Sequence, residues 1–185
     1  GARLWQAQPF YGRDLAEIVG LFDTVYVSFY KILRGMAGAI LAGPEDVIAE
    51  ARSWQHRHGG RLFQQYPYVL AAKHGLDTHL PHIAEYTAKA QEIAAVISML
   101  PDITVTPNPP QTDMMHIFIR ADRERLWDAL LDIAEEHKVL LAAWLRPAQV
   151  PGYQMFELTV GNAASDIPTA EIATLFAEWI ERAHA

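Results

Sequence analysis

Asp23-Thr24-Val25-Tyr26-Val27-Ser28-Phe29-Tyr30-Lys31 is the stretch on which the reading of the fold turns. It is rich in β-branched and aromatic residues, so it predicts a buried strand over 23–30 with Lys31 at its C-terminal end. A lysine in that place is expected to be partly desolvated, which favours the neutral amine that Schiff-base chemistry needs. The bland alternative is a strand-end lysine whose head reaches water. The other three lysines, Lys73, Lys89 and Lys138, sit in polar helical surroundings. Ser28, three residues before Lys31, could reach an anionic cofactor group, or simply pair with backbone. Arg3, near an apolar start, could hold a carboxylate in a two-pronged grip, or lie on the surface.

Working outward, Arg13–Phe22 spaces Leu15, Ile18, Val19 and Phe22 as a short helix. Gly35–Ala42 reads as a second strand after a glycine turn. Gly43-Pro44 breaks the chain, and Glu45–His58 follows as a helix with Pro44 at its start. After Gly59-Gly60, Arg61–Lys73 reads as an apolar helix containing Pro67, and Asp77–Leu100 as a long amphipathic one. The span 101–111 carries four prolines and reads as a loop. Beyond it, Met114–Arg120 alternates as a strand, Asp122 opens a helix to His137, and Val139–Leu145 and Tyr153–Val160 read as strands around a Pro-Gly turn. A last helix starts near Ser165 or Asp166. The second half is thus β, α, β, β, α, a small α+β layer with helices on one face of a short sheet. The expected division is 1–100 and 101–185.

The 185 residues are 51% apolar and 20% charged, enough to build a packed core. There is no cysteine, so this chain supplies no disulfide, thiolate ligand or cysteine nucleophile. The formal charge is −7, a poor basis for non-specific nucleic-acid binding. No apolar run approaches the roughly 18 residues of a membrane-spanning helix. A cytoplasmic setting is expected. His56 and His58 point to different sides of a helix, and Pro81 separates His79 from His82, so no metal site is expected at either pair. No phosphate-binding glycine loop, G-x-S-x-G elbow or H-E-x-x-H pattern is present. A metal-dependent hydrolase is therefore a distant reading.

Three segments together resemble the threonine aldolase and β-eliminating lyase family, pyridoxal-phosphate enzymes of the aspartate-aminotransferase-type fold. They are Gly1-Ala2-Arg3-Leu4-Trp5, the stretch 23–31 and Gly38-Ala39-Ile40-Leu41-Ala42-Gly43. In that family a strand ends in Asp-Gly-Ala-Arg-Leu, and a Ser-x-x-Lys segment follows. Arg57-His58-Gly59-Gly60 and the helix after it are also similar. The resemblance implies an α/β fold: the end of a cofactor-binding large domain over 1–100, then a small C-terminal α+β domain. It implies pyridoxal 5'-phosphate held by Lys31 as a Schiff base, Ser28 near the cofactor phosphate or the lysine, and Arg3 on the substrate carboxylate. The cofactor would act as an electron sink while the protein orients the bond to be broken. The reaction implied is cleavage of a β-hydroxy amino acid to glycine and an aldehyde.

The resemblance also implies a homodimer or homotetramer, because active sites of this fold are shared between subunits. The chain opens on Gly1 rather than Met, and the family's ring-pairing aspartate would precede it. An N-terminal companion segment or chain is therefore expected. Two departures stand out. Ile32 and Arg34 follow the lysine where the family often has glycines, and Glu157 stands where a carboxylate-binding arginine is expected. Glu157 keeps a different β-eliminating lyase in view, and a non-catalytic remnant with an assembly role is the reading from another class.

Overall fold

The computed structural model describes residues 3–185, so Gly1 and Ala2 of the opening motif lie outside the described residues. The chain divides into two compact units, 1–84 and 85–185. That division falls inside a helix, whereas the sequence reading divides the chain at 100 and 101.

The first unit opens with a helix that the sequence reading did not assign, α1 (Arg3–Tyr11), followed by α2 (Leu15–Val19). Two short strands come next, β1 (Val25–Ser28) and β2 (Ala39–Ala42), paired antiparallel with Val25 opposite Ala42 and Ser28 opposite Ala39. Both are shorter than expected, because the residues between them form a tight turn instead of extending the ladder. Phe29 N–H donates to the Gly38 carbonyl (3.1 Å), Gly35 N–H to the Phe29 carbonyl (2.8 Å), and Arg34 N–H to the Lys31 carbonyl (2.8 Å). Helix α3 (Glu45–Arg57) begins behind Pro44 as expected. Helix α4 runs Tyr66–Thr78 rather than 61–73. Pro67 sits in its first turn, the one place where a missing N–H and a fixed φ suit a helix.

The expected long helix from Asp77 is broken. Leu80–His82 forms a tight 3-10 turn containing Pro81, and α5 (Ile83–Ile97) starts only after it. A proline cannot donate to the helical ladder, so the periodicity of apolar residues continues while the backbone does not.

The second unit is a four-stranded antiparallel sheet with helices. Its strands are β3 (Ile103–Thr106), β4 (Met114–Arg120), β5 (Arg146–Pro147) and β6 (Tyr153–Thr159), in the order β3-β4-β6-β5. Strand β3 lies inside the proline-rich span read as a loop; its Ile-Thr-Val-Thr alternation between Pro101 and Pro107 buries Ile103 and Val105 on one face. The expected strand at 139–145 is absent. Leu141, Ala142 and Leu145 are buried there in irregular chain, and pairing with β6 starts only at Arg146. Burial of this apolar run does not require a ladder, and its alanines have little β preference.

On β4, Met115, Ile117 and Ile119 alternate into the core. Helix α6 (Arg123–His137) follows, with the Asp122 carboxylate accepting from the N–H groups of Glu124 (3.0 Å) and Arg125 (3.1 Å). That cap satisfies donors the helix cannot pair itself. The short α7 (Asn162–Ser165) precedes α8 (Thr169–His184), which starts behind Pro168. Trp179 is fully buried, donates from Nε1 to the Leu126 carbonyl of α6 (2.8 Å), and touches Phe156 and Phe176 at ring separations of 5.6 and 5.8 Å. This aromatic cluster joins α6, α8 and β6 into one core. No described helix is long and apolar enough to cross a membrane.

Candidate functional site

Lys31 follows the end of β1, in the turn that returns the chain to β2. Its side chain is exposed, so the desolvation expected of a buried strand end is not found. The reason is local: the ladder stops at Ser28, and three residues of turn carry the lysine out of the sheet. The backbone beneath it is nonetheless fixed. The Arg34 N–H closes the turn onto the Lys31 carbonyl, and Leu33 is 1% exposed. Arg34 itself adopts φ +53°, the left-handed region a glycine enters without strain. The turn thus keeps its shape with Arg34 where the family often has glycine.

The four lysines differ in what holds their amines. Lys73 Nζ lies 2.7 Å from the Asp77 carboxylate. Lys89 Nζ donates to the Ile167 carbonyl (2.8 Å) and to Thr169 Oγ1 (2.9 Å). Lys138 Nζ donates to the Glu135 carbonyl (2.6 Å). Among the described residues, only Lys31 has an amine without a hydrogen bond or carboxylate partner. An exposed, uncommitted primary amine on a fixed turn suits a cofactor that presents an aldehyde.

Ser28 is in a different state. It is 2% exposed, and the hydroxyl oxygens of Tyr26 and Tyr30, on either side of it in the chain, lie 3.2 Å apart. The nearby Ser28 favours ionisation of each phenol. Being buried, it does not offer itself to a phosphate in this arrangement. The mutual hydrogen bond moves the two phenols apart in acidity. Tyr30 is lowered, first by Tyr26 and then by Ser28 and the nearby Lys31 charge; Tyr26 is raised, first by Tyr30. The sequence reading missed this pair. Its signal was partial, since residues 26 and 28 share one face of a strand but Tyr30 lies in the turn beyond the ladder.

Arg3 is exposed in the first turn of α1 and lines a cavity of about 690 Å³ together with Leu4, Tyr11, Ile18, Phe22 and Tyr26. The wall is mostly apolar, with Arg13 and Glu17 at 4.0 Å from each other as its other charges. Lys31 and Ser28 do not line it. The link between the helix carrying Arg3 and the segment carrying Lys31 is Trp5, whose ring lies 5.9 Å from that of Phe29. The structure therefore brings Ser28 to the two tyrosines and leaves Arg3 and Lys31 on connected but separate surfaces.

The His58 ring stacks on Trp54 at 5.5 Å, with the Arg57 guanidinium 5.2 Å from the same indole. His82 N–H closes onto the His79 carbonyl in the 3-10 turn (3.1 Å). Among the described residues, the one cluster with a metal-like spread is Glu136, His137 and Glu178. Arg182 already bonds both of its carboxylates, 2.7 Å from Glu136 and closer still to Glu178, so a cation would have to displace a guanidinium. Glu157, at the position expected to be arginine, is exposed on β6 with its carboxylate 3.7 Å from His116 Nε2 on β4.

The Beta-eliminating lyase family model matches residues 1–122. Over 141 residues the chain is 26% identical to low-specificity L-threonine aldolase 1 of Arabidopsis thaliana, covering 76% of this chain and 39% of that one. A crystal structure of a candidate L-allo-threonine aldolase from Listeria monocytogenes EGD-E superposes with a TM-score of 0.91 at 35% identity, over 98% of this chain and 50% of that one. A candidate aromatic amino acid beta-eliminating lyase/threonine aldolase from Exiguobacterium sp. 255-15 superposes with the same TM-score at 34% identity, covering 98% and 51%. The chain thus spans about half the length of the solved structures it matches.

Proposed function

Since the chain belongs to the beta-eliminating lyase family, we propose that it is the lysine-bearing part of a pyridoxal-phosphate-dependent lyase of the threonine aldolase kind. The substrate is a β-hydroxy amino acid, and the products are glycine and an aldehyde. The observation that carries this reading is the uncommitted Lys31 amine, alone in that state among the four lysines of the described residues.

In this reading Lys31 holds the cofactor aldehyde and moves protons at the substrate Cα. When bound, the cofactor withdraws the electron pair of the bond that breaks. Arg3 is assigned to the substrate carboxylate by the resemblance alone, since in this chain it lines a cavity that Lys31 does not. Ser28, 2% exposed, takes up a phosphate contact only if the side chains that cover it move. Residues 1–100 then complete a cofactor-binding domain with an N-terminal companion segment, and 101–185 form the small domain. The working enzyme is a homodimer or homotetramer.

The pairing of Glu157 with His116 favours a second reading. With a carboxylate at that strand position the substrate carboxylate is repelled there, so a β-eliminating lyase of different specificity is the alternative.

The test is the intact mass of the chain after incubation with pyridoxal 5'-phosphate and borohydride reduction, followed by peptide mapping. A single pyridoxyl-phosphate increment at Lys31, lost in Lys31→Gln, is the expected result. An increment spread over all four lysines, or none, would remove the cofactor role of Lys31 and leave the assembly reading.

A further inference from the structure

Arg120, Arg123 and Arg125 line one cavity of about 490 Å³ in the second unit, together with Asp122, Gln154 and His184. The proposed function uses none of them. All three arginines are exposed, and their guanidiniums make no hydrogen bond or ion pair with a described residue. Arg182 and Arg13, by contrast, have carboxylate partners in Glu136, Glu178 and Glu17. Three unpaired positive charges around one cavity stand out in a chain whose formal charge is −7.

We propose that this cavity binds the phosphate group of a small molecule, held by Arg120, Arg123 and Arg125.

The backbone that carries the three arginines is fixed. Arg120 ends β4 opposite Tyr153 of β6, and its N–H donates to the Asp102 carbonyl (2.9 Å). Arg123 and Arg125 lie in the first turn of α6, which the Asp122 cap closes. A site on such strand and helix ends needs little ordering when a ligand arrives. The guanidinium fork matches phosphate oxygens two at a time, and a doubly charged anion relieves the mutual repulsion of the three cations. The dipole of α6 adds positive potential at the same end. The N–H groups of Glu124 and Arg125 are spent on Asp122, so the arginine side chains supply the donors. Two carboxylates stand against them: Asp122 itself, and Asp102, 3.5 Å from His184 Nε2. Three guanidiniums outnumber them.

Gln154 gives a second, independent sign. It is 7% exposed, and its Nε2 donates to the Ala121 carbonyl (3.2 Å), which sets the orientation of the amide. Its Oε1 is buried and has no partner among the described residues. A buried acceptor of this kind calls for a donor. A phosphate that keeps one proton, or an ester that carries a hydroxyl, brings that donor together with the negative charge.

The experiment is isothermal titration calorimetry on the whole chain at fixed ionic strength, with inorganic phosphate and with glycerol 3-phosphate. The expected result is saturable binding at one site, weakened about tenfold in Arg120→Gln and in Arg123→Gln. Arg52→Gln, at an exposed position of α3, should bind as wild type does. Tighter binding of glycerol 3-phosphate identifies the ligand as an ester, and tighter binding of inorganic phosphate identifies it as the free ion. No saturable binding of either probe in the millimolar range overturns the proposal, and so does binding that is equal in wild type and all three variants. The measurement involves neither Lys31 nor the cofactor, so its failure leaves the proposed function standing.

Discussion

Gly75, in α4, places its bare Cα against the backbone carbonyl of Leu33, two residues beyond Lys31. A Cβ at Gly75 would overlap the Leu33 carbonyl oxygen and come within 2.8 Å of its carbon and 2.9 Å of the Leu33 Cβ. The turn that carries the candidate cofactor lysine is thus seated on a helix through a contact only glycine allows.

Gly75→Ala sets two effects in opposition. In an open helix the change is worth about 1 kcal/mol in favour of alanine. Here the overlap is with backbone, which cannot rotate away, and overpacking of this kind costs about 1–3 kcal/mol. The expected outcome is a net loss of stability in urea denaturation, with a weaker mass increment at Lys31 because its turn is displaced. A variant more stable than wild type would show that Gly75 is not a seat for the turn.

Arg34 tests the same turn from its backbone. At φ +53° an L-residue carries strain on the order of 1 kcal/mol, which glycine relieves while losing a similar amount through its freer unfolded chain. Arg34→Gly is therefore expected to leave the urea midpoint nearly unchanged. Arg34→Val, branched at Cβ, is expected to lower it clearly. Equal midpoints for the two variants would contradict the left-handed assignment.

These two positions also mark what the sequence can tell and what it cannot. The motif around Ser28 and Lys31 was legible because the residues are adjacent in the chain, and the Asp122 cap and the alternation of β4 were legible for the same reason. Gly75 and Leu33 are distant in sequence, and no local pattern announces their contact. Strand β3 was hidden because prolines flank a run that is short even for a strand. Pro81 was underweighted because apolar periodicity persists across it, although the helix ends there. Lys31 was expected at the dry end of a strand over 23–30, but the ladder stops at Ser28 and the lysine lies exposed in the turn beyond it.

Trp179 is the sharpest probe of the second unit. Trp179→Phe keeps most of the buried ring and removes the bond to the Leu126 carbonyl, for an expected loss of about 1 kcal/mol. Trp179→Ala also empties the space between Phe156 and Phe176, and about 3–5 kcal/mol is expected. Chemical denaturation followed by circular dichroism separates the two, and a similar loss for both would mean that the hydrogen bond, not the ring's packing, carries the contribution.

Glu136 gives a pH dependence whose sign can be fixed in advance. The hydrogen bond from Arg182, and then its charge, hold the Glu136 carboxyl below its ordinary value of 4.5. Arg182 is in turn held more firmly protonated by Glu136, so it stays charged throughout. A carboxyl depressed in the folded state binds its proton more readily when unfolded, so its stabilisation is fully present above the ordinary value. It is lost as pH falls through the lower folded value. Wild type should therefore lose more stability than Glu136→Gln on going from pH 6 to the acid side of about 4. The Glu136 side chain is 59% exposed, so the difference is small and should shrink in high salt. The partner variant Arg182→Gln should flatten the same limb. It also strips Glu178 of its guanidinium, leaving that carboxylate with His137 Nε2 at 3.3 Å. Parallel stability curves for all three proteins would show that Arg182 contributes packing rather than charge.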